Sequence, residues 1–88
     1  MLTQRIEPGH DLREFSAERD QQLRQRIFAV LRDSGYWALS QLKCDVTNGN
    51  VVLSGTVSSY FLKQVAQTLA LRIETVKVLE NRIDVYHG

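Results

Sequence analysis

The stretch VTNGNVVLSGTV, residues 46–57, decides the fold. Apolar and polar residues alternate on both sides of Asn48-Gly49, a pattern typical of two half-buried strands. Asn and Gly accept the positive φ angles of a tight turn, so the strands are expected to form an antiparallel hairpin, with a loop lengthened by Asn50 as the alternative. Gly55 predicts either a bulge or an element that passes close over the second strand, most simply a helix.

A helix is predicted before this hairpin, from Ala17 or Asp20 to Ser34. Gly35 is expected to end it, because glycine takes the left-handed conformation of a helix C-terminus without a side-chain cost. The apolar residues of this segment fall on one stripe at helical spacing: Leu23, Ile27, Val30 and Leu31. The arginines around this stripe are interpreted as a solvated face: Arg19, Arg24, Arg26 and Arg32.

A second helix is predicted after the hairpin, over residues 60–73, with Ser58 or Ser59 as its N-cap. Residues 75–86 are rich in β-branched side chains and are predicted to form a last strand. A strand–helix–strand unit prefers a right-handed crossover, which places both helices on one face of the sheet. The sequence therefore predicts an α/β (α+β) two-layer sandwich in the order helix–strand–strand–helix–strand, with a three-stranded sheet.

Length and composition indicate one small domain. The chain has 88 residues, of which 43% are hydrophobic and 24% are charged. This is enough for a single core but too little for a deep, enclosed active site. We expect a flexible leader over residues 1–17, with a short helix near residues 11–15 as its one candidate element. A single domain is expected over residues 18–86, followed by a tail of residues 87–88.

Charge and hydropathy narrow the range of partners. A net charge of +1 argues against nucleic acid, because proteins that bind it usually carry a clustered basic excess. No stretch approaches the ~18 apolar residues of a transmembrane helix, and residues 1–10 lack the apolar run of a signal peptide. The chain as written is therefore expected to be cytoplasmic, or to belong to the cell envelope or periplasm if it is a fragment of a longer protein.

No catalytic site, metal site or cofactor is predicted. A Cys–His nucleophile needs its base within ~3 Å, but Cys44 lies in a predicted strand and His10 and His87 lie near opposite ends of the chain. No cluster of residues has the short spacings of metal ligands. A lone cysteine cannot form an internal disulfide, and Cys44 is expected to be a buried packing residue.

Three segments resemble the BON domain, a small module of bacterial envelope and nodulation proteins. Residues 46–57 are close to V-x-N-G-x-V-x-L-S-G-x-V, and residues 76–85 are similar to the closing V-x-x-V-x-N-x-I-x-V. Asp20 and the apolar stripe after it resemble the family's first helix. The match covers about residues 18–86 and departs from the family at Thr75, where a glycine is usual. The signature positions of the fold are Asn48, Gly49, Gly55 and Asn81.

The resemblance implies a non-enzymatic binding module that attaches its carrier protein to phospholipid or envelope surfaces, and an anionic phospholipid surface is then the expected partner. The alternative is a protein–protein interaction or self-assembly module that uses the open sheet face or an edge strand. The near-neutral charge of the chain favours this alternative slightly, whereas the resemblance favours the phospholipid surface.

The candidate contact residues are aromatic side chains outside the predicted apolar stripes. Tyr36 and Trp37 follow the first helix, whereas Tyr60 and Phe61 open the second, with Lys63 close behind. If both pairs lie at one end of the sandwich, they form an amphipathic rim, and Lys63 is available to a lipid phosphate. The alternative is that Trp37 and Phe61 only close the ends of a small core.

Overall fold

The computed structural model describes residues 10–86, and the side chains of residues 17–86. It confirms the predicted fold class of two helices and a three-stranded sheet. A short 3₁₀ helix precedes the first strand, and no sequence pattern had indicated it. In chain order, the elements are α1 (His10–Arg32), the 3₁₀ helix (Trp37–Gln41), β1 (Lys43–Thr47), β2 (Asn50–Val57), α2 (Tyr60–Leu71) and β3 (Val78–Val85).

The sheet is mixed, with β2 at its centre. β2 runs antiparallel to β1 and parallel to β3. Thr47 pairs with Asn50, so the hairpin turn consists of two residues, Asn48 with φ +53° and Gly49 with φ +82°. Two successive positive φ angles are those of the turn type that matches the twist of antiparallel strands. The tight hairpin is therefore confirmed, and Asn50 belongs to β2 instead of lengthening the loop.

The first helix begins earlier than the apolar pattern predicts. α1 starts at His10, whereas Ala17 or Asp20 was the expected start, and it ends at Arg32. Once a helix is nucleated and docked, each added residue forms a further hydrogen bond without a new nucleation cost, so a helix extends beyond its apolar stripe. Residues 10–17 of the predicted leader thus belong to α1, whereas residues 1–9 and 87–88 lie outside the described residues.

Both helices lie on one face of the sheet. α1 packs against β1, α2 packs against β3, and the two helices contact each other. The 3₁₀ helix adds a fully buried leucine to the same core. Two small residues of α2 are buried against the sheet, so this helix approaches it closely. The buried core consists of Leu23, Ile27, Leu31, Leu39, Leu42, Cys44, Val51, Leu53, Val57, Ala66, Ala70, Ile73 and Ile83.

Gly55 lies in β2 beside the segment that leads into β1. Its φ is +128°, and a Cβ on this residue would lie 2.9 Å from Cδ2 of Leu42, the residue that leads into β1. The prediction that a helix crosses here is therefore wrong, because the close neighbour is a side chain from the segment before β1. The ladder between β2 and β3 continues through the pair Gly55–Ile83.

One carboxylate ties α1 to the hairpin turn. Asp20 accepts the N–H of Asn48 at 2.7 Å with Oδ2 and the N–H of Gly49 at 3.1 Å with Oδ1. Hydrogen bonds to an ionised acceptor are about twice as strong as neutral ones. The same contacts fix where α1 sits along β1, because Asn48 and Gly49 directly follow that strand.

Asp20→Ala is expected to lower the free energy of unfolding by about 2 kcal/mol, because two backbone N–H groups lose their acceptor. Asp20→Asn should recover part of this loss, since an amide keeps one acceptor oxygen. Urea denaturation followed by circular dichroism measures both. Asp45→Ala, which removes an exposed carboxylate from β1, is the matched control and should change stability by less than about 0.5 kcal/mol. Equal losses at positions 20 and 45 would contradict a stabilising role for the hydrogen bonds of Asp20 to the hairpin turn, named here the clamp.

A side-chain amide connects β3 to α2. Asn81 Nδ2 donates to the carbonyl oxygen of Lys63 and to Oε1 of Gln67, both at 3.2 Å. Its Oδ1 accepts the N–H of Ile83 at 3.1 Å. Both the NH₂ group and the oxygen of this amide therefore form hydrogen bonds within the fold, and the NH₂ group holds the middle of α2 against β3.

The turn after α2 forms without a left-handed residue at Thr75. The N–H of Ile73 donates to the carbonyl of Ala70 at 3.2 Å, and that of Val76 donates to the carbonyl of Ile73 at 3.1 Å. Thr75 has no positive φ, so the departure from the family's usual glycine carries no backbone strain.

Candidate functional site

The two predicted aromatic pairs meet at one end of the sandwich. Because β1 and β2 are antiparallel, the segment that enters β1 and the segment that leaves β2 lie at the same end of the sheet. The ring centroids of Tyr36 and Phe61 are 5.9 Å apart, with an angle of 75° between their planes. This edge-to-face geometry is favourable for aromatic rings. The structure thus brings Trp37 and Tyr60, their neighbours in the chain, to the same place.

The N-cap of α2 positions the second aromatic pair. Oγ of Ser59 accepts the N–H of Leu62 at 3.2 Å, which confirms Ser59 as the cap and defines the first turn of the helix. Tyr60 and Phe61 are the first two residues of that turn. Their backbone is therefore rigid, while their side chains project from the end of the domain.

The exposure of these side chains argues against the interpretation in which they only close the ends of the core. Trp37 is 77% exposed, Tyr60 69% and Phe61 60%. None of the three is buried in the core. In the 3₁₀ helix, Leu39 is the residue that faces the core, and Trp37 faces solvent. Large exposed apolar side chains grouped in one region mark an interaction surface more often than those scattered singly.

Sequence reasoning missed a fifth aromatic residue at this end, Tyr86. Its N–H donates to the carbonyl of Val57 at 2.8 Å, and its side chain is 67% exposed. The parallel pairing of β2 and β3 places the last residues of both strands together, directly before Ser58. The predicted strand–helix–strand crossover implies parallel strands, but only the register of β2 with β3 places this residue beside Val57. The surface named here the aromatic end consists of Tyr36, Trp37, Tyr60, Phe61 and Tyr86.

Few charges accompany the aromatic end. Lys63 lies two residues after Phe61 on α2 and is half-buried. Arg32, at the end of α1, is exposed and lies 3.4 Å from the carboxylate of Asp33. An exposed ion pair of this kind contributes little energy, and it reduces the positive potential around the guanidinium. The aromatic end is thus mainly an apolar and amphipathic surface.

The open sheet face offers a polar surface to a protein partner. Residues of β1, β2 and β3 on this face are mostly exposed and of both charge signs, and Arg82 forms an ion pair with Glu80. β3 is an edge strand of eight residues, with Arg82 and Asp84 adjacent along its outer face. Charged side chains on an edge strand oppose association with another sheet. These surfaces therefore favour a protein partner less than the aromatic end does.

No group of three or more His, Cys, Asp or Glu side chains is arranged to hold a metal ion within the side chains that the structure describes. Cys44 is buried, and burial raises the pKa of its thiol to about 11. His87 and the side chain of His10 lie outside the described part of the molecule. Over residues 10–86, no helix is long and apolar enough to cross a membrane.

Comparison with known proteins agrees with the geometry. The family model of the BON domain matches residues 19–86. No curated protein sequence matches the chain. The matched segment begins in the middle of α1 and includes the clamp at Asp20, the hairpin, α2 and β3. Since the match covers most of the chain and every strand of the sheet, the protein belongs to the BON domain family, a family of binding modules.

Proposed function

We propose that this domain attaches its carrier protein to a phospholipid surface of the cell envelope, and that the aromatic end makes the contact. Phospholipid binding is the general role ascribed to BON domains. The observation that carries the proposal is the grouping of exposed rings: all three tyrosines and the single tryptophan lie at one end of the fold.

The chemistry of these rings suits the boundary between lipid headgroups and acyl chains. Trp and Tyr combine an apolar ring with one polar group, so they are enriched at membrane–water interfaces. Trp37 and Phe61 supply the apolar area, while Tyr60 and Tyr86 carry hydroxyl groups at the same end. Because a rigid fold presents these rings, little conformational entropy is lost when they enter the interface.

The charges near the aromatic end support a modest preference for anionic lipid. A basic residue close to an anionic surface contributes roughly 1 kcal/mol. Lys63 and Arg32 are two of the basic residues near this end, and Asp33 offsets Arg32. Binding is therefore expected to weaken at high salt but not to disappear, since the rings provide most of the energy.

The test is co-sedimentation with vesicles of phosphatidylcholine alone or mixed with phosphatidylglycerol. The double variant Trp37→Ala/Phe61→Ala is expected to lower the partition coefficient at least about tenfold, because each truncation removes one exposed ring from the interface. Both side chains are exposed, so the fold should be retained, as circular dichroism will show. Leu71→Ala, at the far end of α2 and also exposed, is the control and should bind like the unaltered protein.

The single tryptophan gives a second measurement. Fluorescence of Trp37 should shift to shorter wavelength when vesicles are added, because the indole leaves water. Absence of both binding and shift at low salt would overturn the proposal. If the protein instead associated with itself as its concentration rose, and ignored vesicles, the alternative of an assembly module would replace it.

A further inference from the structure

A cleft with a volume of about 470 Å³ lies at the end of the domain opposite the aromatic end. Its walls are α1, the hairpin turn and the segment between α2 and β3. The hairpin turn and the aromatic end are at opposite ends of β2, so the two surfaces are separated by the length of the strand. The volume is within the range of small-molecule sites, about 300–1,000 Å³.

Three cationic side chains line this cleft: Arg19 and Arg26 from α1, and Lys77 from the segment before β3. Within residues 17–86, none of the three is in an ion pair, since the ion pairs of this part of the chain lie elsewhere. Glu74 also lines the cleft, but it is farther than ion-pair distance from each of them. The cleft thus gathers positive charge without a bound counter-charge.

Asp20, the second carboxylate that lines the cleft, already accepts two hydrogen bonds. Both oxygens of Asp20 accept backbone N–H groups of the hairpin turn, from Asn48 and Gly49. A carboxylate with two such donors is directed to the turn, and its orientation leaves the two arginines available to an incoming anion. The charged side chains that line the cleft carry a formal excess of one positive charge, three against two.

The stem of Lys77 lies against the hairpin turn, while the residue as a whole is exposed. The N–H of Lys77 donates to the carbonyl of Gly49 at 2.9 Å. Its aliphatic stem lies over Gly49 so closely that a Cβ on residue 49 would be 3.0 Å from Cδ of the lysine. This contact and the backbone hydrogen bond restrict the stem on one side, so less conformational entropy is lost when the ammonium group binds a ligand.

We infer that this cleft binds a small ligand carrying phosphate groups. The guanidinium fork donates two hydrogen bonds to one phosphate, and lysine adds a point charge. Arg19 and Arg26 are seven residues apart, about 10 Å along the helix, so a ligand with two linked phosphates reaches both better than a single phosphate does. Because the cleft faces away from the aromatic end, a soluble ligand fits it better than a headgroup of the membrane that the aromatic end contacts. The choice of a soluble ligand over a headgroup rests on the proposed function, whereas the phosphate site itself does not.

The experiment titrates the whole chain with inorganic pyrophosphate and with orthophosphate, and follows backbone amide signals by nuclear magnetic resonance. Amides of Asn48, Gly49 and Lys77 should shift, more strongly with pyrophosphate. Arg19→Gln/Arg26→Gln is expected to weaken pyrophosphate binding at least about tenfold. Arg24→Gln is the matched control: it makes the same change of charge on α1 but does not line the cleft.

Vesicles containing phosphatidic acid distinguish the two sources of the phosphate group. Loss of pyrophosphate binding in the double arginine variant but not in Arg24→Gln supports a soluble ligand. Loss of vesicle binding in that variant alone, without pyrophosphate binding by the unaltered protein, supports a lipid headgroup in the same cleft. Absence of both effects, or an equal effect of Arg24→Gln, would overturn the inference, whatever Trp37→Ala/Phe61→Ala does to vesicle binding.

Discussion

Gly55→Ala is expected to lower the free energy of unfolding by about 3 kcal/mol. The φ of +128° is a conformation that side-chain-bearing residues rarely adopt. The new Cβ would also lie 2.9 Å from Cδ2 of Leu42, so this buried side chain would have to shift, whereas Cα of Leu42, at 3.5 Å, would be in ordinary contact. A domain of this size is stable by on the order of 5–10 kcal/mol, so the substitution removes a large part of its stability.

A second glycine with a positive φ, but with no atom close to the position of a Cβ, provides the control. Gly35 has a φ of +89°, and a Cβ there would meet no atom within 4 Å. Gly35→Ala should therefore cost only the left-handed backbone, roughly 1 kcal/mol. Urea denaturation of both variants, and of Leu42→Ala alone and combined with Gly55→Ala, separates the steric part by a double-mutant cycle. Equal losses at positions 35 and 55, with additive effects at position 42, would contradict the close approach.

The close approach at Gly55 also bears on the aromatic end. Leu42 directly follows the 3₁₀ helix that carries Trp37, and Gly55 lies shortly before the N-cap of α2. A displaced Leu42 would therefore disturb the neighbourhood of the contact between Tyr36 and Phe61. We expect Gly55→Ala to change the separation of the aromatic pairs as well as the stability of the fold.

The parts of the fold that depend on local chemistry could be predicted from the sequence. The turn at Asn48-Gly49 needs only two residues that accept positive φ, and Ser59 caps α2 through a hydrogen bond three residues away. The close neighbour of Gly55 and the buried position of Leu39 depend on tertiary packing, which no local pattern reports. The start of α1 was missed because helix extension is driven by backbone hydrogen bonds and leaves no apolar period.

The same distinction applies to the two candidate sites. Tyr36 and Phe61 stand out because they lie outside any apolar stripe, but their contact required the antiparallel order of β1 and β2. In the sequence, Tyr86 occupies an ordinary outward position of a strand, and only the register of β3 with β2 places it at the aromatic end. Arg19 and Arg26 are seven residues apart, so helical spacing places them on one face of α1, away from Arg24 and Arg32. The wall that faces them, formed by the hairpin turn and the segment after α2, follows only from the fold.

Cys44 is expected to react with a thiol reagent about a hundredfold more slowly in the native protein than in the unfolded chain at pH 8. The pKa of its thiol is raised from 9.0 to about 11, mainly by burial and also by the nearby carboxylate of Asp45, whereas Arg24 lowers it. Two pKa units correspond to about a hundredfold less thiolate, which is the reactive species. Labelling with a chromogenic disulfide, with and without urea, measures the ratio.

Because the pKa of the Cys44 thiol is higher in the folded protein, the free energy of unfolding falls as the pH rises above 9. Below pH 9 the thiol keeps its proton in both states, whereas between pH 9 and 11 only the folded protein keeps it. The contribution of the Cys44 thiol to the free energy of unfolding is therefore fully present below pH 9 and is lost as the pH rises towards 11. Cys44→Ala should remove this part of the alkaline loss.

Thr56→Cys, placed on a Cys44→Ala background, puts a thiol on the open sheet face, where residue 56 is exposed. That thiol should react at nearly the same rate with and without urea, which controls for the effect of urea on the reagent. The slow reaction of Cys44 requires that α1 cover the inner face of β1 for most of the time, because opening of this contact exposes the thiol. Equal native rates at positions 44 and 56 would mean that α1 does not stay on β1, and then the clamp between Asp20 and the hairpin turn could not persist either.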